Sequence, residues 1–334
     1  MGQTMTLDGD CRIIVGDCRE SLRQIEAGSV RTCITSPPYF GLRDYGHDGQ
    51  IGLEQTPEEF VTELVEVFRL VRDVLADDGT LWLNLGDSYA AARGGTHQPA
   101  ETLAGGSGGK TVDGERVNRG RLDGYNPTRN AAAIGLKHKD LIGIPWRVAF
   151  ALQTDGWYLR SDIIWHKPNP MPESVTDRPT KSHEYLFLLT KSSRYHYDHE
   201  AIKEASTTEV KPGTIRFGGN KYGDSDDPKY ATKSGNAYVD SGKRNKRDVW
   251  TIPTKPFKGA HFAVMPEALV EPCILAGSAP GDLVLDPFAG SGTVGVVAKR
   301  HGRKFVGTEL SPEYAVLAED RIFNEPENLF GGLS

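Results

Sequence analysis

Residues 283–295 read LVLDPFAGSGTVG, a short apolar strand that leads into a glycine-rich turn and the start of a helix. Gly290, Gly292 and Gly295 match the GxGxxG spacing of turns that bind dinucleotide phosphates at a helix amino terminus. Glu309 follows at the distance, roughly 20 residues, at which such folds carry a ribose-binding acid. The pattern predicts a nucleotide-binding α/β fold, and a dehydrogenase is the first interpretation to test.

The residue that ends this strand argues against a dinucleotide. Asp286 would lie where a pyrophosphate needs a neutral or positive environment. The same carboxylate suits S-adenosylmethionine, which lacks phosphate and carries an ammonium and a sulfonium, while Glu309 can accept the ribose hydroxyls. Only one further βα unit follows the turn, whereas a dinucleotide fold needs more strands. We therefore expect a cationic nucleoside cofactor rather than a nicotinamide.

A second motif, TSPPY at residues 35–39, follows another predicted strand. An exocyclic amino group on a base is a poor nucleophile, because its lone pair is delocalised into the ring. The Ser36 hydroxyl and the Pro37 carbonyl could accept both N–H hydrogens, and Pro37 and Pro38 would hold them stiffly. Tyr39 offers an aromatic face for an extruded base. The alternative is a plain turn with Tyr39 in the core, and the carboxylate-bearing turn elsewhere in the chain favours the catalytic interpretation.

Apolar strands and helical patterns alternate along most of the chain. A helix begins after Thr56, which can cap it, and residues 77–79 should end it. Crossover helices between strands with polar or glycine-rich carboxyl ends are typical of α/β folds with a largely parallel sheet. We predict further helices at 140–153, 266–276, 293–301 and 312–323, and strands at 12–15, 30–35, 80–85, 157–165, 184–189, 283–285 and 304–308.

Two polar segments interrupt this alternation. Residues 88–135 contain a stretch that is rich in Gly, Asn and Arg, and we expect a mobile loop there. Residues 205–247 hold nine Lys or Arg against five Asp or Glu, a local charge of +4 in a chain of −6. Aromatic residues are interspersed, which suits a phosphate backbone with bases to stack on, although a solvated insertion fits the composition equally well. The candidate DNA-binding residues are Lys243, Arg244, Lys246 and Arg247.

The overall composition sets limits on the class of protein. No apolar run of eighteen residues and no apolar leader are present, so we expect a cytoplasmic protein without a membrane span. The four cysteines form no CxxC pair, and His196 and His199 lack a third well-spaced ligand, so we expect no metal site.

The two motifs together resemble the amino-DNA methyltransferases of the β class, in which the catalytic half precedes the cofactor turn. The resemblance covers nearly the whole chain outside the two polar segments. It implies an α/β Rossmann-like S-adenosylmethionine-dependent methyltransferase fold with a circularly permuted motif order and a small target-recognition lobe. Residues 1–204 would be the catalytic half, 205–247 the target-recognition insert and 248–334 the cofactor-binding half.

The same resemblance implies roles for individual residues. Asp17 would contact the adenine, His261 and Phe262 would wrap the methionine end, and residues 163–172 and those from Arg178 would border the target base. Double-stranded DNA is the implied partner. A cognate restriction endonuclease is a further candidate, with an orphan enzyme as the alternative, and monomer and homodimer are both open. The cofactor pocket would be lined by Asp286, Phe288, Gly290, Ser291, Gly292, Thr293 and Glu309.

The target atom is less sharply indicated. SPPY resembles enzymes that act on cytosine N4, whereas DPPY is usual for adenine N6, so cytosine is favoured and adenine is the alternative. A protein glutamine-amide methyltransferase would resemble an NPPY pattern with the cofactor turn first, which this chain lacks. A non-enzymatic DNA-binding module is disfavoured by the intact motifs at Ser36–Tyr39 and Asp286.

Overall fold

The computed structural model describes residues 3–6, 10–42, 44–91, 131, 134–206, 215–217, 237–239, 242–254 and 265–326, with the backbone alone at 3–6, 215–217 and 237–239. Its helices are α1 (Cys18–Ser21), α2 (Pro57–Val74), α3 (Ile144–Thr154), α4 (Glu267–Gly277), α5 (Thr293–Arg300) and α6 (Pro312–Phe323), with a 3₁₀ turn at Leu22–Gln24. Its strands are β1 (Gln3–Thr6), β2 (Cys11–Val15), β3 (Val30–Thr35), β4 (Leu75–Leu85), β5 (Tyr158–His166), β6 (His183–Thr190), β7 (Glu204–Ala205), β8 (Ile215–Phe217), β9 (Ala237–Val239), β10 (Lys243–Arg244), β11 (Val249–Thr251), β12 (Leu283–Asp286) and β13 (Lys304–Glu309).

Nine of the described strands form one sheet in the order β1-β2-β13-β12-β3-β4-β6-β5-β11. The strands from β2 to β4 in this order are parallel, and β6 runs antiparallel to both of its neighbours. One edge of the sheet therefore collects the carboxyl ends of β2, β13, β12, β3 and β4 together with the amino end of β6. Parallel α/β sheets bind ligands at this edge.

Two strands from the carboxyl-terminal part of the chain lie between strands from its amino-terminal part. β12 lies between β3 and β13, and β13 pairs with β2, so the carboxyl-terminal strands occupy the centre of the fold. The predicted α/β class with a largely parallel sheet and permuted motif order is confirmed. Strands from residues 1–204 and from residues 248–334, the predicted catalytic and cofactor-binding halves, consequently share a single sheet.

Helices cover both faces of the sheet. One apolar cluster joins α2 and α3 to the sheet, and a second joins α4, α5 and α6 to the opposite face. The two faces place β3, β4 and β12 in the buried middle layer, which explains why these strands read as continuous apolar runs. Within the described residues, no helix has the length and apolar character to cross a membrane.

Helix α2 begins as its sequence predicts and ends earlier. The Thr56 hydroxyl accepts a hydrogen bond from the Glu59 N–H at 3.2 Å, and the Glu59 carboxylate accepts from the Thr56 N–H at 3.1 Å, a complete capping box. The prediction that residues 77–79 end the helix is wrong, because the helix stops at Val74. Leu75 already pairs with Val30 of β3, and the next residues form a bulge before regular pairing resumes.

Parts of both polar segments form backbone hydrogen bonds. In the first, the Ala90 N–H donates to the Asp140 carbonyl and the Ile142 N–H to the Ser88 carbonyl, both at 2.9 Å. In the second, β7 pairs with β10 and β8 pairs with β9. The described part of the chain does not include residues 92–130, 132–133, 207–214, 218–236 and 240–241. The mobility predicted for the first segment therefore stays a prediction.

Candidate active site at the carboxyl edge of the sheet

The two motifs meet at the ends of adjacent strands. β3 and β12 are hydrogen-bonded neighbours, with Leu285 opposite Cys33. One step beyond this pair, the Thr35 hydroxyl donates a hydrogen bond of 2.6 Å to Asp286 Oδ1. Residues 251 positions apart in the chain are thus in direct contact. The turn that follows Thr35 and the turn that follows Asp286 open side by side.

The Asp286 carboxylate is almost fully buried, with 2% of the residue exposed. It also accepts a hydrogen bond from the Phe288 N–H at 3.0 Å. Burial raises the pKa of this carboxyl to about 7, and the nearby charge of Glu309 raises it further, while the hydrogen bonds from Thr35 and Phe288 oppose the rise. The site therefore disfavours the ionised carboxylate, and a bound cation would stabilise that form.

Glu309 is a second carboxylate, partly buried, at the end of β13. It accepts the Gly290 N–H at 2.7 Å and the Ser311 N–H at 2.9 Å, so it joins the glycine-rich turn to the start of α6. Burial raises the pKa of this carboxyl, and the two backbone hydrogen bonds oppose the rise. Gly290 and Gly292 have φ of 53° and 76°, the left-handed region that glycine adopts without strain.

Two further residues of the turn, Ser291 and Thr293, form hydrogen bonds with another part of the same chain. The Arg321 guanidinium on α6 donates to the Ser291 hydroxyl at 2.8 Å and to the Thr293 hydroxyl at 3.4 Å. Both hydroxyl residues are buried. The structure thus uses Ser291 and Thr293 to fix the turn against α6, and a contact from either one to a cofactor remains a prediction.

Asp17 follows the end of β2 by two residues and lies next to the end of β13, where the Gly16 N–H donates to the Glu309 carbonyl at 2.8 Å. Its carboxylate caps α1 through the Arg19 N–H at 2.8 Å and pairs with the Arg19 guanidinium at 2.6 Å. Burial opposes ionisation, yet the hydrogen bonds from Arg19 lower the pKa of the Asp17 carboxyl. The structure brings Asp17 to the predicted edge, and Arg19, which links it to Glu63 of α2, was not predicted.

The SPPY turn is anchored through its tyrosine. The Tyr39 hydroxyl lies 2.7 Å from Glu184 Oε2 and 3.2 Å from Asn84 Oδ1. Its ring lies so close to the backbone of Gly86 that a Cβ added there would clash with Tyr39 Cε2 and Cδ2. Pro37 is buried, while Ser36, Pro38 and Tyr39 are partly exposed. The turn therefore presents the serine from a rigid support.

The role of Glu184 could not be found from sequence. It lies in the stretch that the resemblance places beside the target base, but a glutamate at the start of a strand carries no motif signal. Only the order β4-β6 brings its side chain under Tyr39. Lys167 forms an ion pair with Glu184 and lies over the Trp165 ring, with 4.2 Å from Nζ to the centroid.

The predicted DNA-binding residues do not lie at this carboxyl edge. Lys246 and Arg247 line a small surface depression with Ser161 and Ile163 of β5, on a face of the sheet. The Lys246 ammonium lies 4.9 Å from the Trp250 ring centroid. Arg244 of β10 and Arg247 both donate to Glu204, at 2.9 and 2.7 Å. Lys243 pairs with Ala205 in the short ladder that closes the segment.

Some predicted residues cannot be placed. His261 and Phe262 lie outside the described residues. In the part that the structure does describe, no group of three or more His, Cys, Asp or Glu side chains is arranged to hold a metal ion.

The donor set fits a nucleoside cofactor that carries positive charge. Asp286, which is buried, and Glu309, which is partly buried, are carboxylates at adjacent strand ends, and burial raises the pKa of each. A pyrophosphate at this turn would add negative charge to that environment, whereas an ammonium or sulfonium would neutralise it. The same geometry thus excludes the dehydrogenase interpretation of the GxGxxG pattern.

Comparisons with known proteins agree with this arrangement. A model of the DNA methylase family, N6_N4_Mtase, matches residues 30–320. The chain is 49% identical to the Type II methyltransferase M.SmaI of Serratia marcescens, covering 93% of this chain and 90% of that one. It is 48% identical to the Type II methyltransferase M.Cfr9I of Citrobacter freundii, covering 94% and 88%.

Solved structures share the fold at low sequence identity. The cytosine-N4-specific PvuII DNA methyltransferase superposes with a TM-score of 0.58 at 17% identity, covering 95% of this chain and 94% of that one. A putative DNA modification methylase from Thermus thermophilus, complexed with S-adenosyl-L-methionine, gives 0.53 at 24% identity, covering 93% and 92%. With the family model spanning both motifs, this chain belongs to the DNA methylase family of N6 and N4 amino methyltransferases, which are S-adenosylmethionine-dependent enzymes.

Proposed function

We propose that the protein methylates the N4 amino group of a cytosine that is flipped out of double-stranded DNA, as the modification enzyme of a Type II restriction system. The observation that carries the proposal is the hydrogen bond of 2.6 Å between Thr35 and Asp286. It joins the turn that would accept the target amine to the turn that would hold the methyl donor. Ser36 rather than an aspartate at the acceptor position favours cytosine over adenine.

Some of the residues named above bind the cofactor, and others bind the DNA. The carboxylates of Asp286 and Glu309 hold the positive and hydroxyl groups of the cofactor, with Asp17 at the adenine end. The Gly290–Thr293 turn, whose N–H groups and left-handed glycines let the backbone approach closely, shapes the floor of the pocket, and Phe288 packs beside it. Lys243, Arg244, Lys246 and Arg247 contribute to DNA binding at the base of the target-recognition segment.

The chemistry at the base depends on hydrogen-bond acceptors. The Ser36 hydroxyl and the Pro37 carbonyl accept the two amino hydrogens, which localises the nitrogen lone pair. S-adenosylmethionine, held by Asp286, Glu309 and Asp17, would supply an electrophilic methyl group, and the amino nitrogen would exchange one proton, released to solvent, for this methyl. Placing the acceptors in a stiff diproline turn removes the cost of orienting them in each turnover.

Replacement of Ser36 tests this assignment. Ser36→Ala removes one acceptor and should lower kcat about 100-fold, the loss typical of removing one preorganised hydrogen bond at a reacting centre. Cofactor affinity, measured by calorimetry, should stay within about twofold, since Asp286 and Glu309 are untouched. Ser29→Ala is the matched control, because Ser29 lies before the opposite end of β3 and bonds only the Glu26 carbonyl in its own turn.

The target atom can be measured directly. Long-read mapping of modified bases in DNA from cells that express the chain should show N4-methylcytosine at a fixed sequence. Methyl groups on adenine would replace the cytosine proposal with adenine N6, and unmodified DNA from cells with folded protein would overturn the function.

A further inference from the structure

The loop between the SPPY turn and α2 closes on itself beside the diproline. The Gly41 N–H donates to the Gly52 carbonyl at 2.8 Å, and a Cβ added to Gly52 would lie 3.3 Å from Pro38 Cβ. We call the described residues of this loop, 41–42 and 44–52, the strap. Its base is thus fixed against the SPPY turn at the end of β3.

The tip of the strap reaches the end of another strand. The Gly49 carbonyl accepts a hydrogen bond of 3.0 Å from the Arg19 guanidinium, and a Cβ added to Gly49 would lie 3.5 Å from Asp17 Oδ2. Arg19 also forms ion pairs with Asp17 and with Glu63 of α2, each at 2.6 Å. The strap therefore extends from the turn after β3 to the residues that follow β2.

Two strands of the sheet lie between these two attachment points. β13 and β12 separate β2 from β3 in the sheet order, and Glu309 and Asp286 are the last residues of β13 and β12. Three inter-strand steps at about 4.8 Å make the span roughly 14 Å. The strap consequently passes alongside the strand ends that carry the two carboxylates. In agreement, the charge of His47 in the strap opposes the rise in the pKa of the Glu309 carboxyl.

The chain leaves these strand ends in opposite directions. α1 and α2, which follow β2 and β3, pack in one apolar cluster, whereas α5 and α6, which follow β12 and β13, pack in the cluster on the opposite face. Such a change of direction opens a crevice at the carboxyl ends of the strands, where α/β folds bind their ligands. The glycine-rich turn borders this crevice on the side of α5 and α6, and the strap borders it on the side of α1 and α2.

We propose that Arg19 is a positioning residue for the cofactor: by joining Asp17 to Gly49, it holds the strap as the second wall of the S-adenosylmethionine crevice. The inference rests on the cofactor site proposed above and does not depend on which base is methylated. A guanidinium suits this role because its planar fork binds a carboxylate through two nitrogens. Arg19 Nε and Nη2 lie 3.0 and 2.6 Å from the two Asp17 oxygens, while Nη2 also donates to Gly49.

Calorimetric titration of an Arg19→Gln variant with S-adenosylmethionine tests the proposal. The variant loses the contacts that hold the tip of the strap, while Asp286 and Glu309 stay in place. We expect the cofactor Kd to rise about tenfold, the fold-change that corresponds to one lost hydrogen bond to a charged group. Arg69→Gln, the control, breaks an exposed ion pair with Asp155 in the last turns of α2 and should leave Kd within about twofold. An unchanged Kd for Arg19→Gln would overturn the role.

Hydrogen exchange distinguishes a released strap from a general loss of structure. Cofactor at about ten times its Kd should slow amide exchange of the wild-type strap about tenfold, because the cofactor binds only the closed crevice. Without cofactor, Arg19→Gln should speed exchange in the strap and leave that of α5 unchanged. A wild-type strap whose exchange does not respond to cofactor would contradict the proposal.

A double-mutant cycle shows whether Arg19 acts through the strap. Gly49 has a φ of 82°, so Gly49→Ala should displace the tip and raise Kd while the ion pairs of Arg19 remain. In that background Arg19→Gln should raise Kd by no more than about twofold further. An equal increase in both backgrounds would overturn the proposal. If Arg19→Gln fails to fold, Gly49→Ala alone decides, and an unchanged Kd for it would have the same consequence.

The two proposals fail differently. Unchanged cofactor affinity in an Asp286→Asn variant would overturn the cofactor site and the strap together. Weakened binding by Asp286→Asn, with wild-type affinity in Arg19→Gln and Gly49→Ala, would overturn only the role of Arg19.

Discussion

At the residue scale, the Asp286 carboxylate makes the stability of the fold depend on the pH of the solution. Burial raises its pKa from 3.8 to about 7 in the folded protein. Between these values the folded state binds a proton that the unfolded chain has released. The stabilisation from this group is therefore complete below about pH 4 and is lost as the pH rises through 7.

Asp286→Asn should stabilise the protein without cofactor at pH 8 and change it little at pH 4. We expect about 2 kcal/mol in the free energy of unfolding at pH 8, roughly half of what three pKa units at about 1.4 kcal/mol each imply, because the new buried amide loses its hydrogen bonds to water. The Thr35 hydroxyl can still donate to the amide oxygen. Urea unfolding at the two pH values measures the difference.

The same variant should bind S-adenosylmethionine at least about tenfold more weakly at pH 8, since a cation loses its buried partner. Asp282→Asn is the control at the other end of β12, where the carboxylate accepts the Ala279 N–H at 2.8 Å. It should not stabilise the protein at any pH. A stability gain for Asp286→Asn that is equal at both pH values, or an unchanged cofactor affinity, would contradict the assignment of Asp286.

At the scale of elements, close packing explains why Gly295, the last position of the GxGxxG pattern, is a glycine. Helix α5 lies so close to β13 and α6 that a Cβ on Gly295 would be 2.8 Å from Phe305 Cδ1 and closer still to Ile322 Cδ1. The third glycine of the GxGxxG pattern thus serves helix–strand contact. A literal match to a phosphate-binding pattern arises here because both kinds of site need close packing behind the turn.

Gly295→Ala should lower the free energy of unfolding by about 1 kcal/mol or more. Overpacking a core costs about 1–3 kcal/mol, and the better helix propensity of alanine offsets up to about 1 kcal/mol of it. Urea unfolding measures the loss, and calorimetry on the folded variant should give an unchanged cofactor affinity. A gain in stability would show that α5 has room to move and that the packing explanation is wrong.

The sequence predicts where a helix or strand lies more reliably than it predicts which elements pack beside it. The helix cap at Thr56 and the strand Val30–Thr35 depend on local signals, and both predictions are confirmed. The end of α2 was missed because Leu75 pairs with β3, a tertiary contact that local propensity does not contain. Glu184 was missed for the same reason, since only the antiparallel position of β6 beside β4 brings it to Tyr39.

At the scale of the whole molecule, the sheet sets the distance between the candidate site and the basic segment. Four inter-strand steps separate β3 from β11 in the sheet order. At about 4.8 Å per step this is roughly 19 Å, comparable to the combined widths of the two DNA grooves, about 12 and 6 Å. The lateral separation between Ser36 and the strand next to Lys246 is therefore of the size that a duplex could span, although Lys246 itself lies on a face of the sheet.

A matched pair of lysines tests whether that span is used. Lys246→Gln should weaken DNA binding and reduce the slope of log affinity against log salt by about 0.9, the loss of one phosphate contact. Lys304→Gln is the control, because Lys304 starts β13 at the opposite edge and pairs with Asp10 at 3.1 Å. Arg244 and Arg247 are poorer probes, since Glu204 already balances part of their charge. Equal salt slopes for Lys246→Gln, Lys304→Gln and wild type, measured by fluorescence anisotropy, would place the basic segment off the DNA and leave the carboxyl edge alone to hold it.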